Sequence, residues 1–143
     1  MPAADAFDPG RFLDAQALVI DSVRGELARG RKASHWMWFV FPQISGLGRS
    51  AMAQRYAIAS LADAQAYAAH PVLGARLREM TALVLAVEGR SAHEIFGTPD
   101  DLKFHSAMTL FARAAPDEPI FRDALEKYFG GREDAATLAA LCL

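Results

Sequence analysis

The sequence predicts an all-α fold: one compact domain of seven or eight mostly short helices around a central helix near residues 71–88. Apolar residues recur every three or four positions over most of the chain, which is the period of a helix with one buried face. Capping residues, prolines and glycines interrupt this pattern at short intervals. Only one aromatic run could also form a strand, and a lone strand would leave its backbone groups unpaired.

The composition is typical of a globular protein. Hydrophobic residues make up 52% of the chain and charged residues 22%, far from the balance of disordered proteins. The formal net charge of -2 makes nucleic acid and anionic membranes unexpected partners. The N-terminus lacks the features of a secretory signal, and the single cysteine, Cys142, cannot form an intramolecular disulfide. We therefore expect a cytoplasmic protein, one domain over residues 1–143 with a loose tail at 1–7.

The first helix is predicted to run from Pro9 to the glycine at position 30. Asp8 is a suitable N-cap, proline is favoured at the first helical position, and Gly30 can adopt the left-handed conformation that ends a helix. Gln16 lies on the apolar side of this helix. A buried amide without partners costs about 1 to 3 kcal/mol, so Gln16 is expected to find hydrogen-bond partners.

The most unusual segment spans residues 30–50, which contain both tryptophans. Ser34 can cap a short helix through the aromatic run, and Pro42 would stop it. The glycine turn that follows leads to Ser50, which can cap the next helix.

Later helices begin and end at similar local signals. Pro71 opens the long helix that we expect to be the central one, and Gly89 closes it. The other signals are caps at Ser60 with Asp63, at Ser91 with Glu94 and at Thr98, and the glycine pair 130–131 as a helix end.

Two segments that flank the aromatic run are weak candidates for anion-binding sites. Arg29, Arg31 and Lys32 precede a helix start, where free N–H groups attract phosphate or carboxylate. The alternative is a solvated turn whose cations complement the dipole of the first helix. The second candidate combines a Gly-Leu-Gly turn with Arg49 and a capped helix start, but it matches no phosphate-binding motif.

The aromatic and polar residues of the same segment suggest a binding site. Trp36 and Trp38 are two apart, so they point in different directions on a helix. Either both are core residues, or one lines a groove, where an indole can stack on a flat ligand. His35 is the best candidate for proton transfer because its pKa lies near neutrality. No spacing of metal ligands and no covalent-hydrolase motif occurs, so neither a metal nor a cofactor is expected.

Three blocks of the sequence are similar to those of a known family. They read GRKASHWMWFVFPQISGLGRSAMAQRYAI, AHPVLGARLRE and IFGTPDDLKFHSAMTLFA. They resemble an uncharacterised bacterial family, domain of unknown function 1810, whose members have an Rv1873-like helical fold. The resemblance implies a single-domain α fold and no established activity. Some members are labelled calpastatin, a disordered polar inhibitor, and the globular composition here gives that label no support.

Two functions are compatible with these observations. The first is a ligand-binding domain, with or without catalysis, for a small phosphorylated or nucleotide-like molecule. In that hypothesis Lys32 and Arg49 hold the anion, Trp36 stacks, Gln16 and Gln43 orient the ligand, His35 moves a proton, and Lys103 contributes to the site. The second is a helical module that docks a protein partner without catalysis.

Overall fold

The computed structural model describes residues 7–143, and within them the chain forms ten α-helices, not seven or eight. The helices are, in order, α1 (Gly10–Ala17), α2 (Ile20–Ala28), α3 (Met37–Val40), α4 (Ala51–Arg55), α5 (Leu61–Ala69), α6 (Leu73–Ala86), α7 (Ala92–Phe96), α8 (Asp100–Ala114), α9 (Pro119–Phe129) and α10 (Ala135–Ala140). Their buried side chains form a single hydrophobic core, so the all-α single-domain fold is confirmed. No helix among these ten is long and apolar enough to cross a membrane.

The predicted first helix is two helices. It breaks at Leu18 and Val19, and the backbone of Val19 leaves the helical region at φ -131° and ψ -9°. The break lets the two halves pack on different partners, α1 on α3 and α2 on α6. Gly30 ends α2 with a left-handed φ of 72°, as predicted.

The most buried of the long helices is α8, not the helix near residues 71–88. Nine of the fifteen residues of α8 are buried, against six of fourteen in α6. Helix α8 packs against α3, α5, α7, α9 and α10. Its Phe104 lies at the centre of an aromatic cluster, 5.1 Å from Phe41 and 4.7 Å from Phe96 between ring centroids.

The aromatic run forms only one turn of helix. Helix α3 begins at Met37, after Trp36, and no side chain caps it. The predicted cap, Ser34, instead donates its hydroxyl to the Glu26 carboxylate of α2. A buried carboxylate is a stronger acceptor than a neutral group, which explains why the serine turns toward α2.

Most of the other local signals act as predicted. Among residues 7–143 no side chain caps α8, which begins at Asp100 after Pro99, so the cap predicted at Thr98 does not form. Helix α6 begins at Leu73 and ends at Ala86, inside the limits predicted from Pro71 and Gly89. Ser50 and Ser60 accept the amide hydrogens of the residues three positions on, and Ser91 forms a complete capping box with Glu94. Gly130 ends α9 in the left-handed conformation. Residues 1–6 of the predicted tail lie outside the described residues, and Phe7 packs on the ring of Phe12 at 5.9 Å.

Candidate functional site

A short backbone pairing holds the segment that follows α3. The Ser45 amide donates to the carbonyl of Ile58 at 2.8 Å, and the Ile58 amide donates to the carbonyl of Gln43 at 2.8 Å. These bonds form an isolated parallel bridge between Ile44 and Ile58. The backbone from Gln43 to Ser45 is therefore fixed, although it belongs to no helix.

A cavity of about 250 Å³ lies beside this segment. Its walls come from α3, the fixed segment, the glycine turn, α4 and α8. The lining residues are Met37, Trp38, Phe41, Gln43, Ile44, Ser45, Gly46, Gly48, Ala53, Gln54, Tyr56, Ala57 and Lys103. Lys103 is the one charged residue in this set, so the cavity presents a positive charge and no carboxylate.

The charge of Lys103 is only partly balanced. Its Nζ lies 3.6 Å from Asp100 Oδ1, whereas the other oxygen of Asp100 contacts Nζ of Lys32 at 2.9 Å. The Lys32 side chain is 6% exposed and lies over the Trp36 ring, so it depends on this carboxylate for its pairing. One carboxylate thus serves two ammonium groups, and the cluster keeps a net positive charge at the cavity wall.

Trp38 is the tryptophan that reaches the cavity. It is half-buried, and Lys103 Nζ lies 5.3 Å from its ring centroid, within the range of a cation–π contact. Trp36 has no exposed surface, and its indole N–H donates to Glu26 Oε1 at 2.9 Å. This geometry corrects the expectation that Trp36 stacks on a ligand, because a fully buried ring has no face to offer.

Glu26 holds the segment that comes directly before α3. Its carboxylate accepts the amides of Ala33 and Ser34, the Ser34 hydroxyl and the Trp36 indole. Burial alone would raise the pKa of Glu26, but these hydrogen bonds outweigh it and lower the pKa from 4.5 to about 2. The residue is therefore ionised at neutral pH and holds residues 33–36 in place.

Gln16 has an internal structural role. Its Nε2 donates to the carbonyl of Phe39 at 2.7 Å and to the Tyr67 hydroxyl at 3.0 Å, and its Oε1 lies 3.4 Å from an Arg76 nitrogen. The expectation that this amide finds partners is confirmed. Gln16 does not line the cavity, so the structure does not bring it together with Gln43.

The remaining predicted residues divide into two groups. Gln43 and Lys103 both line the cavity. His35 and Arg49 are exposed and do not line it, and Lys32 is connected to it only through Asp100. No group of three or more residues suited to hold a metal occurs among residues 7–143.

The sequence analysis did not name Asp100 as the partner of the two lysines or Tyr56 as a residue of the cavity wall. It also did not identify the packing role of Gly48. A Cβ at Gly48 would lie 2.5 Å from the Cβ of Ala53, so the glycine permits close packing on α4. The spacing of Asp100 and Lys103, three apart on one helix, was a usable signal for their contact. No local signal could have linked Asp100 to Lys32, because they are far apart in the chain.

The two glutamines should respond differently to substitution. We expect Gln16→Ala to lower the free energy of unfolding by about 2 kcal/mol, because the buried Phe39 carbonyl and Tyr67 hydroxyl lose a partner. Gln43→Ala should change it by less than about 0.5 kcal/mol, because the Gln43 amide makes no hydrogen bond within residues 7–143. Urea titrations of both variants measure the difference, and equal losses would contradict these roles.

Comparison with known proteins agrees with the fold and with the sequence blocks. The model of a family described as "Protein of unknown function (DUF1810)" matches residues 6–141. The crystal structure of the conserved hypothetical protein Rv1873 from Mycobacterium tuberculosis is similar, with a TM-score of 0.95 and 57% sequence identity over 97% of this chain and 99% of that chain. No curated protein matches. Because the family model spans nearly the whole chain, this protein belongs to the DUF1810 family of proteins of unknown function.

Proposed function

We propose that this protein binds a small phosphorylated or nucleotide-like molecule in the cavity formed by Trp38, Gln43 and Lys103. The observation that carries the proposal is a cavity with one cation, one half-buried indole and one free amide on its walls. Such a combination of an aromatic surface with a few polar groups is typical of small-molecule sites. In keeping with the single cysteine, we place the protein in a reducing compartment such as the cytoplasm.

The electrostatics favour an anion. Among residues 7–143 no carboxylate lines the cavity that Lys103 faces, and Asp100, the acid that Lys103 contacts, is held more closely by Lys32. An anionic group near Lys103 would complete the pairing of the second ammonium. It would also interact with the partly exposed amide of Gln43, which can donate two hydrogen bonds.

The aromatic wall favours a flat group. Trp38 is half-buried and borders the cavity, so its ring has surface to offer a ligand. Stacking of a base on an aromatic side chain contributes roughly 1–3 kcal/mol. Among residues 7–143 no histidine lines the cavity, and His35 is exposed elsewhere, so the proposed function is binding without a proton-transfer step.

The alternative, a protein-docking module, has a weaker basis. Leu18 is 87% exposed and borders a shallow groove with Arg11 and Arg55. The other well-exposed large apolar residues among those described are Val72, Leu102 and Leu143, which belong to other parts of the chain. Single exposed apolar residues are normal on a protein surface.

Substitution of the cavity cation tests the proposal. We expect adenosine 5′-monophosphate at millimolar concentration to raise the melting temperature of the wild-type protein and to change the fluorescence of Trp38. Lys103→Gln should weaken binding at least about tenfold, because it removes the cation from the cavity wall. Arg49→Gln is the matched control, since Arg49 is exposed and does not line the cavity.

Three results would contradict this function. One is stabilisation of the wild-type protein by less than about 1 kcal/mol with millimolar adenosine monophosphate and ribose 5-phosphate. Another is an equal loss of ligand affinity in Arg49→Gln and Lys103→Gln. The third is an unchanged ligand affinity in both single variants, Trp38→Phe and Lys103→Gln.

A further inference from the structure

The cavity is one of two compartments that share a wall. A groove of about 320 Å³ adjoins the cavity, and Gln43, Gly48 and Lys103 line both spaces. The groove is more open, and its remaining lining residues are Leu47, Pro99, Leu102, Ser106, Asp134 and Ala136. Lys103 therefore borders both compartments and can contact a ligand group at their junction.

The size of the first compartment limits what it can hold. Its volume of about 250 Å³ is below the range of roughly 300–1,000 Å³ that is typical for pockets that take a whole drug-sized ligand. A single ring system fits this space beside Trp38. The rest of a nucleotide-sized ligand would have to pass Lys103 and enter the groove.

The groove differs from the cavity in charge. Asp134 lines it, and one oxygen of this carboxylate accepts from the Ser106 hydroxyl at 3.1 Å and from the Thr137 amide at 3.0 Å. The other oxygen, Oδ1, has no partner among residues 7–143 and can accept from a hydroxyl or amine. A second anionic group in the groove would be repelled by Asp134. The groove thus suits a neutral part that carries hydrogen-bond donors, next to the apolar surface of Leu102.

We propose that the ligand is a phosphodiester whose charge lies between two neutral parts, a flat ring in the Trp38 cavity and a hydroxyl- or amine-bearing part in the Leu102 groove. The proposal rests on the proposed function and adds the chemical class of the ligand. The phosphate contacts Lys103 and the Gln43 amide at the shared wall. The two neutral parts extend in opposite directions from it.

Two probes with a common nucleoside distinguish this arrangement from simple anion binding. Adenosine 5′-monophosphate carries a charge of about -1.5 to -2 at the end of the molecule. The dinucleotide adenylyl-(3′→5′)-adenosine carries a single charge between two nucleosides. If charge alone governed affinity, the monophosphate would bind more tightly. We expect the dinucleotide to bind roughly tenfold more tightly in isothermal titration calorimetry, because it occupies both compartments.

Filling the groove should remove this advantage. Ala136 is exposed on α10 and lines the groove, so Ala136→Trp occupies the space without a change in charge. Ala139→Trp is the matched control, because Ala139 is exposed on the same helix and lines neither compartment. Leu102→Trp, at another exposed position of the groove, repeats the test if the Ala136 variant does not fold.

The outcomes separate this inference from the function on which it rests. Loss of the dinucleotide advantage in Ala136→Trp but not in Ala139→Trp, with monophosphate affinity unchanged, supports the two-part ligand. Two results overturn the two-part ligand and leave the proposed function standing. In the first, the monophosphate binds in a Lys103-dependent manner and the dinucleotide binds no more tightly. In the second, Ala136→Trp and Leu102→Trp leave the affinity for the dinucleotide unchanged. Binding of neither probe overturns both.

Discussion

Glu26→Gln is expected to lower the free energy of unfolding by about 3 kcal/mol at pH 7, because the substitution breaks a buried, charged hydrogen-bond network. The carboxylate accepts from the amides of Ala33 and Ser34, the Ser34 hydroxyl and the Trp36 indole. An amide keeps one oxygen and replaces the other with a donor, so it faces donors that it cannot satisfy. Urea titration at pH 7 measures the loss.

The same residue should give the protein a distinctive acid dependence. The folded pKa of Glu26 is lowered from 4.5 to about 2, so the unfolded state takes up a proton first as the pH falls. The contribution of Glu26 is therefore fully present above about pH 4.5 and is lost between about pH 4.5 and 2. The difference in stability between wild type and Glu26→Gln should shrink by about 3 kcal/mol over this window.

A control separates this network from an ordinary helix cap. The pKa of Glu94 is also lowered, by the hydrogen bonds with Ser91 in the capping box, but Glu94 is exposed. Glu94→Gln should therefore cost much less stability and show a much weaker acid dependence. A Glu26 variant with the urea midpoint of the wild type at pH 7 would mean that the network does not stabilise residues 33–36.

Gly74→Ala is expected to destabilise the protein by about 3 kcal/mol, although alanine is normally the better residue inside a helix. A Cβ at position 74 of α6 would lie 2.2 Å from the Ala68 carbonyl oxygen and 2.7 Å from an Arg78 nitrogen. The Ala68 oxygen also accepts from Arg78, and the Gly74 amide donates to the carbonyl of His70. Backbone therefore has to move at the junction of α5 and α6.

Gly25 of α2 provides the matched substitution. The nearest atom to a Cβ at this position is Arg29 Nη1 at 3.2 Å, the end of a flexible side chain. Gly25→Ala should therefore stabilise the protein by up to about 1 kcal/mol. Thermal and urea unfolding of both variants should show shifts of opposite sign, and two shifts of the same sign would contradict the packing described for Gly74.

Local signals in the sequence were sufficient for the helix class and for many helix ends. The caps at Ser50, Ser60 and Ser91, and the left-handed glycines 30 and 130, were all predicted. Each of these features depends on hydrogen bonds or backbone angles within four or five residues, so the necessary information is contiguous. The cap predicted at Ser34 failed because a carboxylate eight residues away competes for the same side chain.

The candidate site was only partly predictable. Gln43 and Lys103 were named from the sequence and line the cavity, but the choice between the tryptophans could not be made from their spacing. Trp36 turns inward because Glu26 accepts its indole N–H, and Trp38 turns toward Lys103 of a helix about sixty positions later. Periodicity shows that two side chains point apart, but not which of them faces other helices.

The sequence by itself determined that this chain is a helical domain, where most of its helices begin and end, and which polar residues interrupt its aromatic segment. Only the tertiary structure decided that α8 is the most buried of the long helices, that Gln16 is internal while Gln43 reaches the cavity, and that Asp100 serves two lysines. The physical reason is the separation along the chain of the residues that interact. Caps and turns are made by near neighbours in the chain, whereas burial and charge pairing depend on residues that only folding brings together.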